Sequence, residues 1–129
     1  MTLLLLRHGF AGHRRPGDDD DHLRPLDELG RRQAASYPEL YADFGVERVL
    51  TSTFVRCRQS VEPLAAALGL PVEERAELAE GVSAREPWTL VGELGDATAV
   101  LCSHGDILGM LLGEEPEKGS TWVVDADPS

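Results

Sequence analysis

The chain is poor in the residues that define several large classes of protein. Among its 129 residues it has two cysteines, Cys57 and Cys102, and 5% aromatic residues. Both cysteines lie on predicted core faces, so we expect small buried hydrophobic side chains rather than a disulfide or a reactive thiol. No C-x-x-C or H-E-x-x-H spacing occurs, and no metal site or cofactor is predicted.

Long hydrophobic runs are also missing. The apolar run at residues 2–6 has no basic residue ahead of it and is too short for a signal peptide or a membrane span. We therefore expect a soluble, cytoplasmic protein with no membrane partner.

Positive charge is scarce: 12 Lys and Arg stand against 23 Asp and Glu, and the formal net charge is −11. Nucleic acid and anionic membranes need a basic surface, so neither is expected as a partner. The run Asp18–Asp21 supplies four of the negative charges. Consecutive carboxylates do not easily converge on one ion, so we interpret the run as a solubilising loop.

What the chain does have is an alternation of strand and helix patterns, which predicts one α/β domain over residues 1–129. The predicted strands are Thr2–Arg7, Val46–Leu50, Pro71–Leu78, Ala97–Ser103 and an edge strand at Thr121–Val124. The predicted helices begin at an Asp27 N-cap, after Thr51–Thr53, at a Ser83 cap and at Asp106. Two prolines, Pro38 and Pro63, fall inside the first two helices, and a kink or a split is expected there. Trp122 near the edge strand is compatible with a dimer.

Two of the predicted strands end in the dipeptide His-Gly. Arg7, His8 and Gly9 follow the first strand, and His104 and Gly105 follow the fourth. Open α/β sheets place ligands at the carboxyl ends of their strands. The two ends therefore predict an anion site built around a nucleophilic imidazole.

The arginines fit a phosphoryl ligand, because a guanidinium stays charged and binds phosphate oxygens bidentately. Arg56 lies in the first turn of a predicted helix, where free N–H groups also favour an anion. Alone, Arg7 or Arg56 would read as a surface arginine in a salt bridge.

His8 has two interpretations, a satisfied core histidine or a nucleophile that attacks phosphorus. Gly9 suits a turn that passes close to a ligand or needs positive φ. His104 would donate to the phosphate oxygens and stabilise the transferring group.

These pieces together resemble the histidine phosphatase superfamily, also called the phosphoglycerate mutase-like family. The matching segments occur in the family's order over roughly residues 3–106: Leu6-Arg7-His8-Gly9; Arg24-Pro25-Leu26 with Gly30-Arg31-Arg32-Gln33-Ala34; Thr51-Ser52 with Arg56-Cys57 and Gln59-Ser60; Leu78-Ala79-Glu80-Gly81; and Ser103-His104-Gly105. The resemblance implies a three-layer α/β/α sandwich with a mostly parallel central sheet.

The resemblance also implies roles for individual residues. His8 would be the phosphorylated nucleophile, and Arg7, Arg56 and His104 would form the phosphate pocket with it. Glu80 matches the family's proton donor, with Glu77 as the alternative if the register differs. An exposed glutamate near a strand end is the other interpretation of either carboxylate.

The short segment between Arg56 and His104 leaves no room for a sizeable lid, which is typical of the phosphohistidine-phosphatase branch. The helices also resemble the histidine phosphatase domain that follows a Nudix domain in some actinobacterial proteins. Phe10 and the loop residues Gly12 to Arg15 depart from the mutase pattern. His13, Arg14 and Arg15 would either reach a second phosphate or protein surface, or form a solvated loop neutralised by the aspartates; His22 has no predicted role.

The sequence therefore predicts a metal-independent phosphatase with a phosphohistidine intermediate and an open pocket. Its substrate would be a phosphoprotein, such as one carrying phosphohistidine, or a small phosphoester. The alternatives are a phosphatase of nucleotides or dinucleotide polyphosphates, and a phosphate- or phosphoprotein-binding module without turnover.

Overall fold

The computed structural model describes residues 2–14, 17 and 19–125. Over these residues the chain forms five strands and four α-helices. The strands are β1 (Thr2–Arg7), β2 (Arg48–Thr51), β3 (Val72–Glu74), β4 (Ala99–Ser103) and β5 (Thr121–Asp125). The helices are α1 (Glu28–Leu40), α2 (Val55–Leu68), α3 (Arg85–Glu93) and α4 (Gly105–Leu112). Single turns of 3-10 helix lie at Asp21–Leu23, Ala42–Phe44 and Ala76–Leu78.

The strands form one sheet in the order β3-β2-β4-β1-β5. The first four strands in this order run parallel, and β5 pairs antiparallel with β1 at the edge. The predicted mostly parallel sheet and its edge strand at Thr121 are thus confirmed. Because β1 and β4 are neighbours, Arg7 lies opposite Ser103, and the chain continues from both into His8 and His104 at the same edge of the sheet.

Alternate residues of β1 face opposite helical layers, which explains why this strand is apolar on both sides. Leu4 and Leu6 pack in a core with residues of α1 and α2, whereas Leu3 and Leu5 pack with residues of α3 and α4. Each fully buried leucine contributes about 1.5–3 kcal/mol. The two cores confirm the three-layer α/β/α sandwich. Cys57 and Cys102 are free and buried in the α1–α2 core, as predicted.

The N-cap prediction for α1 is confirmed. Asp27 is extended and its side chain accepts a hydrogen bond of 2.9 Å from the N–H of Gly30. The same carboxylate accepts the N–H of Gly12 at 3.1 Å, which ties the loop after β1 to the start of the helix.

Two other cap predictions are wrong. Phe54 is the N-cap of α2 and Ala84 that of α3, and neither makes a side-chain cap. The hydroxyl of Ser52, two residues before the N-cap, instead accepts the N–H of Phe54 at 3.2 Å. Ser83 contributes its backbone carbonyl to Glu86 rather than its side chain to a cap.

Neither interior proline splits its helix: α1 runs two residues beyond Pro38, and α2 continues from Pro63 to Leu68. The predicted strand at Pro71–Leu78 is shorter than expected, because β3 pairs with β2 over only three residues before the chain turns into 3-10 helix. Among the described residues, no helix has the length and apolar character needed to cross a membrane.

Candidate active site

His8 is held in one tautomer at the carboxyl end of β1. Its Nδ1 lies 2.8 Å from the carbonyl oxygen of Gly9, and since a carbonyl only accepts, the ring hydrogen is on Nδ1. Burial lowers the pKa of His8 to about 4; the Gly9 contact acts in the opposite direction, and the charges of Arg56 and Arg7 lower the pKa further. The ring is therefore neutral at pH 7, and its Nε2 carries a lone pair.

Arg56, at the start of α2, faces that lone pair. Its Nε donates to Nε2 of His8 at 3.3 Å, although the guanidinium is only 1% exposed. Both remaining nitrogens bind Asp21, one at its carbonyl (2.9 Å) and one at its carboxylate (3.2 Å). The charge of Arg56, which would be costly to bury alone, is thus neutralised by Asp21.

His104 lies beside His8, with ring centroids 5.3 Å apart. Its Nε2 is 2.9 Å from the hydroxyl of Ser52. That oxygen also accepts the N–H of Phe54; when its own hydrogen points to Nε2, the ring hydrogen of His104 is on Nδ1. Burial lowers the pKa of His104 to about 2, with smaller effects of the same sign from His8 and Arg56, so the ring is neutral.

Two buried donors next to His8 lack partners within the described ranges: Nε of Arg7 and Nδ1 of His104. An unsatisfied buried donor costs about 1–3 kcal/mol. Arg7 is otherwise anchored, because its Nη1 donates to the carbonyl of Pro116 at 2.6 Å. The two free donors are therefore available to the oxygens of an anion.

The expectation for Gly9 needs correction. Gly9 does not have positive φ, and it lies in close contact with α1. A Cβ at Gly9 would lie 2.7 Å from Oε1 of Gln33 and 3.1 Å from Cα of Gly30. Its N–H donates to the hydroxyl of Ser60 at 3.1 Å, and that hydroxyl donates to the carbonyl of Arg56. Gly9 therefore holds the His8 loop against two helices.

A cavity of about 180 Å³ opens at His8. We call it the phosphate cup; among the described residues its charged lining is five cations and one carboxylate, namely Arg7, Arg14, Arg24, Arg56, Lys118 and Glu80. In a chain of net charge −11 this is a local concentration of positive charge, and it attracts anions.

Glu80 lines the cup, whereas Glu77 does not. Glu80 accepts a hydrogen bond from Arg14 and lies 3.7 Å from Nη2 of Arg56. Glu77 is turned away and forms a two-pronged pair with Arg75, at 3.2 and 2.6 Å. The hydrogen bonds from Arg75 hold the pKa of Glu77 below its usual value.

Asp21 is the site residue that sequence reasoning missed, because it was interpreted as one of a solubilising run. Its carboxylate contacts Arg14, Arg24 and Arg56 at 3.0–3.3 Å. Burial acts to raise the pKa of Asp21, but the hydrogen bond from Arg24 and the neighbouring guanidinium charges hold it below its usual value. The spacing Asp21-x-x-Arg24 was the only local signal.

The remaining loop predictions have mixed outcomes. Arg14 is partly neutralised by Asp21, as the solvated-loop interpretation expects, but it also lines the cup together with His13. Arg15 and Asp18 lie outside the described residues.

A sequence model described as "Histidine phosphatase superfamily (branch 1)" matches residues 3–86. The chain belongs to this superfamily. It is 34% identical over 142 aligned residues to the 8-oxo-(d)GTP phosphatase of Mycolicibacterium smegmatis (strain ATCC 700084 / mc(2)155), an alignment that covers 95% of this chain. The chain spans 44% of the length of that relative.

Two solved structures superpose over nearly the whole chain. The protein histidine phosphatase SixA complexed with tungstate matches with a TM-score of 0.77 and 26% identity, covering 98% of this chain and 89% of that one. A candidate phosphohistidine phosphatase SixA from Agrobacterium tumefaciens matches with a TM-score of 0.77 and 25% identity, and the match covers 98% of this chain and 91% of that one. The similarity to these two proteins supports placing the chain in the short, phosphohistidine-phosphatase-like branch of the superfamily. Together with the family match, it supports a hydrolytic phosphatase.

Proposed function

We propose that the chain is a metal-independent phosphatase in which His8 becomes phosphorylated. The observation that carries the proposal is the unprotonated Nε2 of His8, buried at the base of the phosphate cup and facing Nε of Arg56 at 3.3 Å. A neutral imidazole with one fixed tautomer is a competent nucleophile at neutral pH.

The first step forms a bond between Nε2 of His8 and phosphorus and breaks the bond between phosphorus and the leaving group. Arg7, Arg56 and His104 stabilise the charge on the phosphoryl oxygens. Glu80, the carboxyl that lines the same cup among the described residues, donates a proton to the departing atom.

The second step returns the enzyme to its starting state. Glu80, now a carboxylate, takes a proton from water while the water oxygen bonds to phosphorus. The bond between phosphorus and Nε2 breaks, and its electron pair returns to Nε2 of His8. Inorganic phosphate then leaves.

The substrate class that we propose is a phosphoprotein carrying phosphohistidine, or a small phosphoester. Between α2 and α4 the described chain contains β3, a 3-10 turn, α3 and β4, which supports a single domain without a sizeable lid over the cup. The similarity to SixA, named a protein histidine phosphatase, also supports this class.

A nucleotide phosphatase is the second candidate. It is favoured by the alignment with the 8-oxo-(d)GTP phosphatase and by a cup with five cations, more than one phosphoryl group needs. Turnover of a phosphohistidine protein, 8-oxo-dGTP, diadenosine polyphosphates and sugar phosphates, compared as kcat/KM, separates the two candidates.

The mechanism is tested by brief incubation with a ³²P-labelled substrate followed by quenching. We expect a label that is stable in alkali and lost in acid, absent from His8→Ala and retained in Asp43→Asn, which alters an exposed residue of the Ala42–Phe44 turn. Hydrolysis of an aryl phosphate should also disappear in His8→Ala and persist in EDTA. A binding module would acquire no label, and activity that survives His8→Ala would exclude the mechanism.

A further inference from the structure

A second cavity, of about 330 Å³, adjoins the phosphate cup. Arg14 and Glu80 line both cavities, and the hydrogen bond between them lies at the boundary. The second cavity therefore lies beside the carboxyl group to which we assign protonation of the leaving group.

One wall of the second cavity is aromatic. Phe54 and His22 pack edge to face, with ring centroids 6.3 Å apart. Phe54 is itself fixed, because its ring lies 4.6 Å from that of His104 and 4.9 Å below Cζ of Arg56. A fixed ring next to the reacting centre provides a surface on which a planar group packs.

The other wall is acidic. Asp19 and Asp21 line it together with Glu80. Arg14, which also lines the cavity, is paired with Asp21 and Glu80. Asp21 is committed to the surrounding arginines, whereas Asp19 has no ion-pair partner in the part of the chain that the structure describes. The charge of Asp19 therefore acts on whatever occupies the cavity. The positive field of the phosphate cup and the negative field of the second cavity meet at the Arg14–Glu80 pair.

We infer that the second cavity receives the leaving group of the substrate and selects planar groups that are uncharged or cationic over anionic ones. The inference rests on the proposed function and narrows it. An imidazole that departs from phosphohistidine is planar and takes up a proton, so it fits both walls. The remaining phosphates of a nucleotide are anionic, and the acidic wall repels them.

The test uses phenylphosphonates, whose P–C bond is not hydrolysed, so that calorimetry measures binding without turnover. Phenylphosphonate should bind more tightly than cyclohexylphosphonate. Phenylphosphonate with a para-aminomethyl group should bind about fivefold more tightly than phenylphosphonate with a para-carboxylate, as expected for a partly exposed charge pair. Asp19→Asn should reduce this preference, and the control Asp43→Asn should keep it. Equal or tighter binding of the carboxylate, a preference unchanged by Asp19→Asn, or no binding of any phosphonate would each overturn the inference.

Labelling of His8 reports separately on the proposed function. A chain that is labelled but shows no charge preference remains a phosphatase, and only the inference fails. A chain that shows the preference without label loses the proposed function, and with it the assignment of the cavity to a leaving group.

Discussion

Nε of Arg56 donates to Nε2 of His8 at 3.3 Å while both of its other nitrogens are held by Asp21. A guanidinium always carries its protons, so this contact exists only when His8 is neutral. The buried arginine therefore selects the form of the imidazole that has a lone pair to offer. Asp21 determines which nitrogen of Arg56 makes the contact.

The pH dependence of stability follows from this pair. Burial lowers the pKa of His8 from 6.5 to about 4, so the folded chain binds fewer protons than the unfolded chain between these values. The contribution of neutral His8 to the free energy of unfolding is complete above pH 6.5. It declines as the pH falls from 6.5 to about 4 and is lost below about 4. At about 1.4 kcal/mol per pKa unit, the decline is about 3 kcal/mol.

Urea unfolding of wild type and His8→Asn between pH 4 and pH 7 measures this decline. We expect a shallower dependence of the unfolding free energy on pH in the variant. The pKa of His104 is also lowered, mainly by its burial and to a smaller extent by His8, so most of its contribution is common to both proteins. Parallel curves would contradict the burial of a neutral His8.

Asp21 should act as a positioning residue. Asp21→Asn removes the counter-charge of Arg56 but keeps an oxygen and the backbone carbonyl in place. We expect kcat for an aryl phosphate to fall about tenfold, because Nε of Arg56 is no longer fixed toward His8. KM should not rise, since the phosphate cup loses a neighbouring negative charge.

Steady-state kinetics of Asp21→Asn beside Asp43→Asn provide the measurement. Urea unfolding of the same samples distinguishes positioning from a loss of fold, because a smaller folded fraction would also lower the apparent kcat without changing KM. A raised KM with unchanged kcat would show that Asp21 contributes to substrate binding instead.

Much of this site could be predicted from local sequence. The apolar strand β1, the His8-Gly9 end and the Asp27 cap each depend on neighbouring residues. The meeting of His8 and His104 also follows, because parallel strands bring their carboxyl ends to one edge of the sheet.

The features that escaped prediction are long-range. Asp21 is one of four consecutive aspartates, and only the folded loop shows that its carboxylate meets Arg56, 35 residues away. The choice of Glu80 over Glu77 depends on Arg75, which pairs with the latter. The length of β3 depends on the number of residues over which it pairs with β2.

A substitution at Gly105 tests whether the position of Arg7 matters for phosphate binding. A Cβ at Gly105 would meet Oε1 of Glu115 first and would lie 2.8 Å from Cζ of Arg7, so Gly105→Ala should displace both the carboxylate and the guanidinium. We expect the inhibition constant of inorganic phosphate to rise about tenfold and the unfolding free energy to fall by about 1–3 kcal/mol.

Gly92→Ala is the matched control, because Gly92 lies in α3 with no atom within 4 Å of its added Cβ. Alanine there should stabilise the helix by up to about 1 kcal/mol and leave phosphate inhibition as in wild type. If Gly105→Ala binds phosphate as tightly as wild type, Arg7 is not a part of the phosphate site.

Leaving groups of different basicity distinguish Glu80 from Glu77. A proton donor matters most when the departing oxygen is basic, so Glu80→Gln should slow hydrolysis of an alkyl phosphate about 100-fold and that of p-nitrophenyl phosphate much less. Glu77→Gln removes only the pair with Arg75 and should leave the ratio of the two rates unchanged. Both rates are measured as kcat/KM, which reports the step that expels the leaving group and excludes the later hydrolysis of phosphorylated His8 that the two substrates share. Equal slowing of the two substrates by Glu80→Gln would assign this carboxylate a role in holding Arg14 and Arg56 rather than in proton transfer.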